Sequence, residues 1–218
     1  MSMRGLYAIV DHTSTLARGL DPLMLADALL IARPTALQLR AKDAPDDVVL
    51  HLLRALAPKC RRAGVLLVAN DRADLALRAE CDMVHIGQTD NSAAEVRAIA
   101  PSLPFGISTH DEPQLRGAVS DAPHYIAFGP IFTTSTKTHA DPAVGLAALE
   151  SAALACKKIP LVAIGGLTLD RAQEVSRIAD MAAVIGDLMP PRHLEQDAAY
   201  DWVVDRARAF QALFEAAR

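Results

Sequence analysis

The stretch LQLRAKD carries Gln38, Arg40 and Lys42 at every second position. In an extended chain, that spacing turns three side chains to one face. An amide and two cations pack poorly among apolar neighbours, but they suit a diphosphate. A guanidinium meets phosphate oxygens as a fork, and an ammonium meets them as a point charge. A strand frayed into a charged loop accounts equally well for Lys42, and less well for Gln38, which lies deeper in the run. Further along, ANDR places Asn70 and Asp71 after one apolar run, and HIGQTD places Asp90 after the next. Two carboxylates close to cations can hold Mg²⁺, which takes one or two carboxylates and completes its shell with water and phosphate oxygens. Taken singly, each aspartate reads as a turn or cap residue, and Asp90 could cap a helix beginning near Ser92.

Three later segments continue the pattern. GISTH offers Ser108 and His110, and FGPIFTTSTKT (128–138) supplies Thr133, Thr134, Ser135, Thr136 and Lys137 after a Gly-Pro turn. Alone, those hydroxyls and that lysine read as a solvated loop; beside the groups above, Lys137 can neutralise the same anion. AIGGL brings Gly165 and Gly166 to what reads as a helix start at Thr168, where backbone N–H groups favour anions. His85, inside the apolar run VHI, reads instead as a hydrogen-bonded core histidine.

What must position these residues is a set of short apolar runs at 5–10, 35–40, 65–70, 82–87, 104–109, 125–130, 160–165 and 181–186. Most are almost continuously apolar, as in parallel strands covered on both faces. Helical patterns separate them. Asp21 and Pro22 open one helix and Pro34 closes it; Asp43 and Pro45 precede another, with Val49, Leu52, Leu53 and Leu56 inward. Ser92 and Glu95 have capping-box spacing, Thr168 is placed to cap the helix after GGL, and a last helix runs from about 198 and contains Trp202. Eight strand-helix units in 218 residues, with no break in composition, predict one (β/α)8 (TIM) barrel domain over 1–218. An open doubly wound sheet is the alternative. In a barrel of this kind the working groups sit at the C-terminal ends of the strands, where all the polar residues above fall.

The totals narrow the function. A net charge of −4 disfavours a nucleic-acid or membrane-surface binder. Cys60, Cys81 and Cys156 are odd in number, scattered and without CxxC spacing, which fits buried thiols in a reducing cytoplasm. The N-terminus lacks a signal pattern, and no apolar run approaches the ~18 residues of a membrane span. The expected partners are small phosphorylated molecules, and a homo-oligomer is left open by the sequence.

Taken in order and spacing, LQLRAK, NDRADLA, VHIGQTD, GISTH, GPIFTTSTK and AIGGLT resemble thiamine-phosphate synthase over roughly 6–185. The resemblance implies a (β/α)8 barrel and a transferase of thiamine biosynthesis. Such an enzyme joins hydroxymethylpyrimidine diphosphate to thiazole phosphate and releases pyrophosphate, through a pyrimidine cation that the thiazole nitrogen captures. It assigns pyrimidine and diphosphate binding to Gln38, Arg40, Lys42, Asn70, Ser108 and Lys137, with Arg40, Lys42, Ser108 and Lys137 taking part in catalysis. Mg²⁺ falls to Asp71 and Asp90, and the thiazole phosphate to Thr134, Ser135, Thr136, Gly166, Ile185 and Gly186. One residue departs from the pattern: Asp187 in VIGDL stands where the family usually has serine after the eighth strand. A carboxylate there weakens a phosphate pocket unless it points away. Two other readings are a tautomerase-like isomerase of thiazole phosphate and a non-catalytic binder of thiamine precursors.

Overall fold

The computed structural model describes residues 3–134 and 142–217. Eight parallel strands close on themselves in sequence order. They are β1 (Gly5–Asp11), β2 (Ala36–Arg40), β3 (Leu66–Asn70), β4 (Met83–Ile86), β5 (Phe105–Thr109), β6 (Tyr125–Phe128), β7 (Leu161–Ile164) and β8 (Met181–Val184). Closure comes from β1 pairing with both β2 and β8, through Tyr7 opposite Ala36 and Gly5 opposite Met181. The expected barrel is therefore present, and the open sheet is not.

The period-two alternation of a strand sorts the side chains into two cores. Leu6, Ala8, Val10, Leu37, Leu39, Val84 and Ile126 point outward and pack beneath the helices. Tyr7, Ile9, Ala36, Val68, Met83, Tyr125, Val162 and Met181 point inward. Both faces are buried, which is why the strands read as unbroken apolar runs. The inward column becomes polar toward the C-terminal ends, where Gln38, His85 and Ser108 are buried beside the apolar layer.

Helices α2 (Pro22–Ile31), α3 (Asp46–Ala63), α4 (Ala73–Arg78), α5 (Ala93–Ile99), α6 (Glu112–Ser120), α7 (Gly145–Cys156) and α8 (Leu169–Ser176) form the outer layer, and α9 (Gln196–Ala216) packs on β1, α2 and α8. A short α1 (His12–Ala17) after β1 was not read from sequence; Asp11 caps it by accepting from Ser14 N–H. Asp21 caps α2 by accepting from Leu23 and Met24 N–H, with Pro22 in the first turn. The Ser92–Glu95 capping box of α5 forms in both directions. Thr168 does stand at the N-cap of α8, but its side chain makes no capping bond there. Among the described residues no helix is long and apolar enough to cross a membrane.

Candidate active site

The C-terminal ends of the strands surround one cavity of about 710 Å³. Its wall includes Gln38, Arg40, Lys42, Asn70, Asp71, Asp90, Ser108, Thr134, Gly166, Ile185 and Gly186. The structure thus brings together most of the residues singled out from sequence. Ser135, Thr136 and Lys137 lie outside the described residues.

Strand β2 delivers its three polar groups to one side of this cavity because Gln38 and Arg40 share the inward face and Lys42 follows at the same spacing. Arg40 does not stand alone: its guanidinium pairs with the buried carboxylate of Asp11 on the neighbouring strand. Asp11 was not singled out from sequence, where IVDH reads as the end of a run. It anchors one edge of the guanidinium and leaves the rest for a ligand.

Lys42 lies 3.0 Å from Asp71 and 3.5 Å from Asp90. The two aspartates leave adjacent strands, β3 and β4, as expected. Asp71 reaches its place through a left-handed backbone, φ 64°, a conformation that aspartate tolerates better than most residues. Its N–H donates to His85 O at 2.7 Å, which fixes that turn to β4. Asp90 accepts from Gly87 N–H at 2.8 Å. It closes its own loop instead of capping α5.

These contacts set the charge states. Burial, assisted by hydrogen bonding with Asp90, pushes the Asp71 carboxyl up to about 6, against the opposing pull of Lys42. Burial also acts to raise Asp90, but the Asp71 hydrogen bond, the Gly87 N–H and Lys42 outweigh it and hold this carboxyl below its ordinary value. Lys42 is raised: burial works against its charge, and the hydrogen bond and charge of Asp71 overcome it, with Asp90 adding to them. A carboxylate pair that keeps one member partly protonated and already draws in an ammonium has an affinity for positive charge to satisfy. That donor set fits Mg²⁺, which needs only one or two carboxylates. Among the described residues no three His, Cys, Asp or Glu side chains gather into a metal cage.

The opposite wall is built by the loops after β6, β7 and β8. Ile131 N–H donates to Ile164 O and Phe132 N–H to Gly165 O, tying the first two loops together. Gly165 and Gly166 have φ of 98° and 63°, and a Cβ at Gly166 would stand 2.5 Å from Thr133 O. No other residue type fits this approach without strain. Asp187 lines the cavity, yet its carboxylate is committed elsewhere. One oxygen accepts from Leu169 N–H at 2.8 Å and the other pairs with Arg206 at 2.9 Å. It supplies the helix cap expected of Thr168, and Arg206 offsets its charge, so the repulsion anticipated from sequence is blunted.

Sequence reasoning passed over several lining groups. Arg171, in the first turn of α8, donates to Gly166 O at 3.1 Å and lies over Phe132. It adds a cation to the glycine side of the cavity, and its position soon after the GG pair was the available signal. Gln88 donates to Ser108 O at 2.7 Å. His110, which the sequence did offer beside Ser108, lines the cavity and donates from Nδ1 to Gly129 O at 2.6 Å. His85 is buried and hydrogen-bonded as expected, but it also lines the cavity and contacts Ser108 Oγ at 2.7 Å.

The comparisons with known proteins agree with this geometry. A family model described as thiamine monophosphate synthase matches residues 6–188. A thiamine-phosphate synthase of Roseiflexus castenholzii is 38% identical over 192 residues, 85% of this chain and 83% of that protein. One from Anaeromyxobacter dehalogenans is 38% identical over 216 residues, 98% of this chain and 89% of that protein. Among solved structures, thiamine phosphate pyrophosphorylase from Pyrococcus furiosus superposes with a TM-score of 0.83 at 26% identity, covering 98% of this chain and 96% of that one. The chain belongs to the thiamine monophosphate synthase family.

Proposed function

We propose that this protein is a thiamine-phosphate synthase. It displaces pyrophosphate from a hydroxymethylpyrimidine diphosphate with the ring nitrogen of a thiazole phosphate. The observation that carries this reading is the convergence of Arg40, Lys42, Asp71 and Asp90 on one wall of a cavity whose opposite wall presents Thr134, Gly166 and Gly186. One wall suits a diphosphate with its metal, and the other a single phosphate.

In this reading the C–O bond to the diphosphate breaks, the pyrimidine methylene becomes electron-poor, and the thiazole nitrogen forms the new C–N bond. No protein nucleophile is required. Arg40 and Lys42 stabilise charge growing on the departing oxygen, with Lys137 assigned the same task from sequence. Asn70, Gln38 and Ser108 hold the pyrimidine, and Thr134 to Thr136 with the Gly166, Ile185 and Gly186 backbone hold the thiazole phosphate in line. Asp71 and Asp90 would hold Mg²⁺, which when bound adds positive charge beside the diphosphate. Lys42 already bridges the two carboxylates and is placed to hand them over while keeping contact with the leaving group.

The test is product analysis with both substrates and Mg²⁺, with controls omitting each. Thiamine phosphate and pyrophosphate in equal amounts support the proposal. Rearrangement of thiazole phosphate alone, or saturable diphosphate binding without product, refutes it in favour of the isomerase or the binder.

A further inference from the structure

Among the described residues, three lysine or arginine side chains line the cavity, and their charges are met differently. Arg40 pairs with Asp11, and Lys42 with Asp71 and Asp90. Arg171 makes no ion pair among the described residues; its contacts are a carbonyl and a ring. Its Nη1 donates to Gly166 O at 3.1 Å, and its Cζ lies 4.9 Å from the centre of the Phe132 ring. Phe132 is itself tied to the next loop, its N–H donating to Gly165 O at 3.0 Å. The loops after β6 and β7 and the first turn of α8 thus hold an exposed guanidinium beside Gly166. Fixing an exposed arginine costs rotamer freedom, which one carbonyl and one ring do little more than offset. The seat therefore adds little stability of its own, and what it provides is a cation held in place at the cavity.

The wall around Arg171 has use for that cation. Asp187 brings a carboxylate to it, and Arg206, paired with Asp187 at 2.9 Å, does no more than cancel that charge. Asp187 also takes the Leu169 N–H at 2.8 Å, a first-turn donor of α8 that an anion could otherwise use. A phosphate monoester carries about −1.5 to −2 at neutral pH and would meet mostly neutral donors here. Among the described residues Arg171 is the arginine or lysine that faces the cavity from this side. Its one bond to Gly166 O leaves most of its five N–H donors for a ligand. We propose that Arg171 reads the phosphate of the second substrate: its guanidinium grips the monoester beside Gly166 and selects the phosphorylated thiazole over the free alcohol. This deepens the proposed function and rests on it for the ligand's identity.

The experiment measures equilibrium binding of thiazole phosphate and of the unphosphorylated thiazole alcohol, with Mg²⁺ and without the pyrimidine. Inorganic pyrophosphate with Mg²⁺ is the control for the opposite wall. Wild type is compared with Arg171→Gln, whose amide can still donate to Gly166 O but carries no charge. The side chain is exposed, so the variant should fold and melt close to wild type. Loss of a charge-assisted contact predicts about a tenfold drop in thiazole phosphate affinity, with less than about a twofold change for the alcohol and pyrophosphate. An unchanged phosphate-to-alcohol preference overturns the proposal. So does an equal loss for both thiazoles, which would reduce Arg171 to a support for the Gly166 turn. A wild type that binds the two thiazoles equally well overturns it without any variant. Binding is read apart from turnover. A wild type that makes no thiamine phosphate, yet shows the preference and loses it in the variant, refutes the proposed function and leaves this inference standing. Product formation with an unchanged preference does the reverse.

Discussion

Replacing Asp71 by asparagine should separate stability from metal binding, because the structure holds this carboxyl in a costly state. Its folded value of about 6 lies above the ordinary 3.8. A raised acid favours the folded state when protonated, so that stability is fully present below the unfolded value and is lost as pH rises through about 6. The difference corresponds to about 3 kcal/mol at most once Asp71 is ionised. Asparagine cannot ionise, so Asp71→Asn without metal should melt a few degrees higher than wild type at pH 8 and close to wild type at pH 4. Metal binding runs the other way, since the carboxylate must shed its proton first. About one Asp71 in eleven is ionised at pH 5 and about ten in eleven at pH 7. Mg²⁺ affinity should therefore fall about tenfold between pH 7 and pH 5. Calorimetry in two buffers of different ionisation enthalpy should count about half a proton released per Mg²⁺ at pH 6 and nearly none at pH 8. A variant that melts lower at pH 8, or metal binding that releases no proton at pH 6, would refute the reasoning.

Other consequences are simpler to read. Gly106→Ala drives a methyl into the Tyr125 ring and should cost about 1–3 kcal/mol in denaturant unfolding, with a smaller cost in a Tyr125→Ala background. Asp187→Ala removes the α8 cap and strands Arg206, so unfolding should become easier by about 1–3 kcal/mol; no change would mean that the carboxylate is not holding the helix. Lys137→Ala should lose most turnover through weaker leaving-group stabilisation, and near-normal turnover would remove Lys137 from the mechanism.

The sequence exposed what depends on local pattern. Strand positions follow from apolar runs bounded by turns, and the Ser92–Glu95 box from spacing alone, because both are decided within a few residues. Gln38, Arg40, Asp71 and Asp90 were visible because a polar residue at the end of a buried run has few other reasons to be there. Contacts between distant segments were hidden. Asp11 pairs with Arg40 across 29 positions, and Asp187 caps a helix that begins 18 positions earlier. Tyr7 and Tyr125 passed as apolar filling, since a phenol in a hydrophobic run gives no sign of where its hydroxyl ends. Thr168 illustrates the same limit: spacing found the cap position, and only the fold showed which side chain fills it.

The most direct test is the position of the pyrimidine diphosphate in a crystal grown with Mg²⁺. The diphosphate should lie against Arg40 and Lys42, with the metal between it and the carboxylates of Asp71 and Asp90. Density that puts the diphosphate on the Gly166–Arg171 side, with Asp71 and Asp90 still closed on Lys42, would contradict the assignment of the two walls.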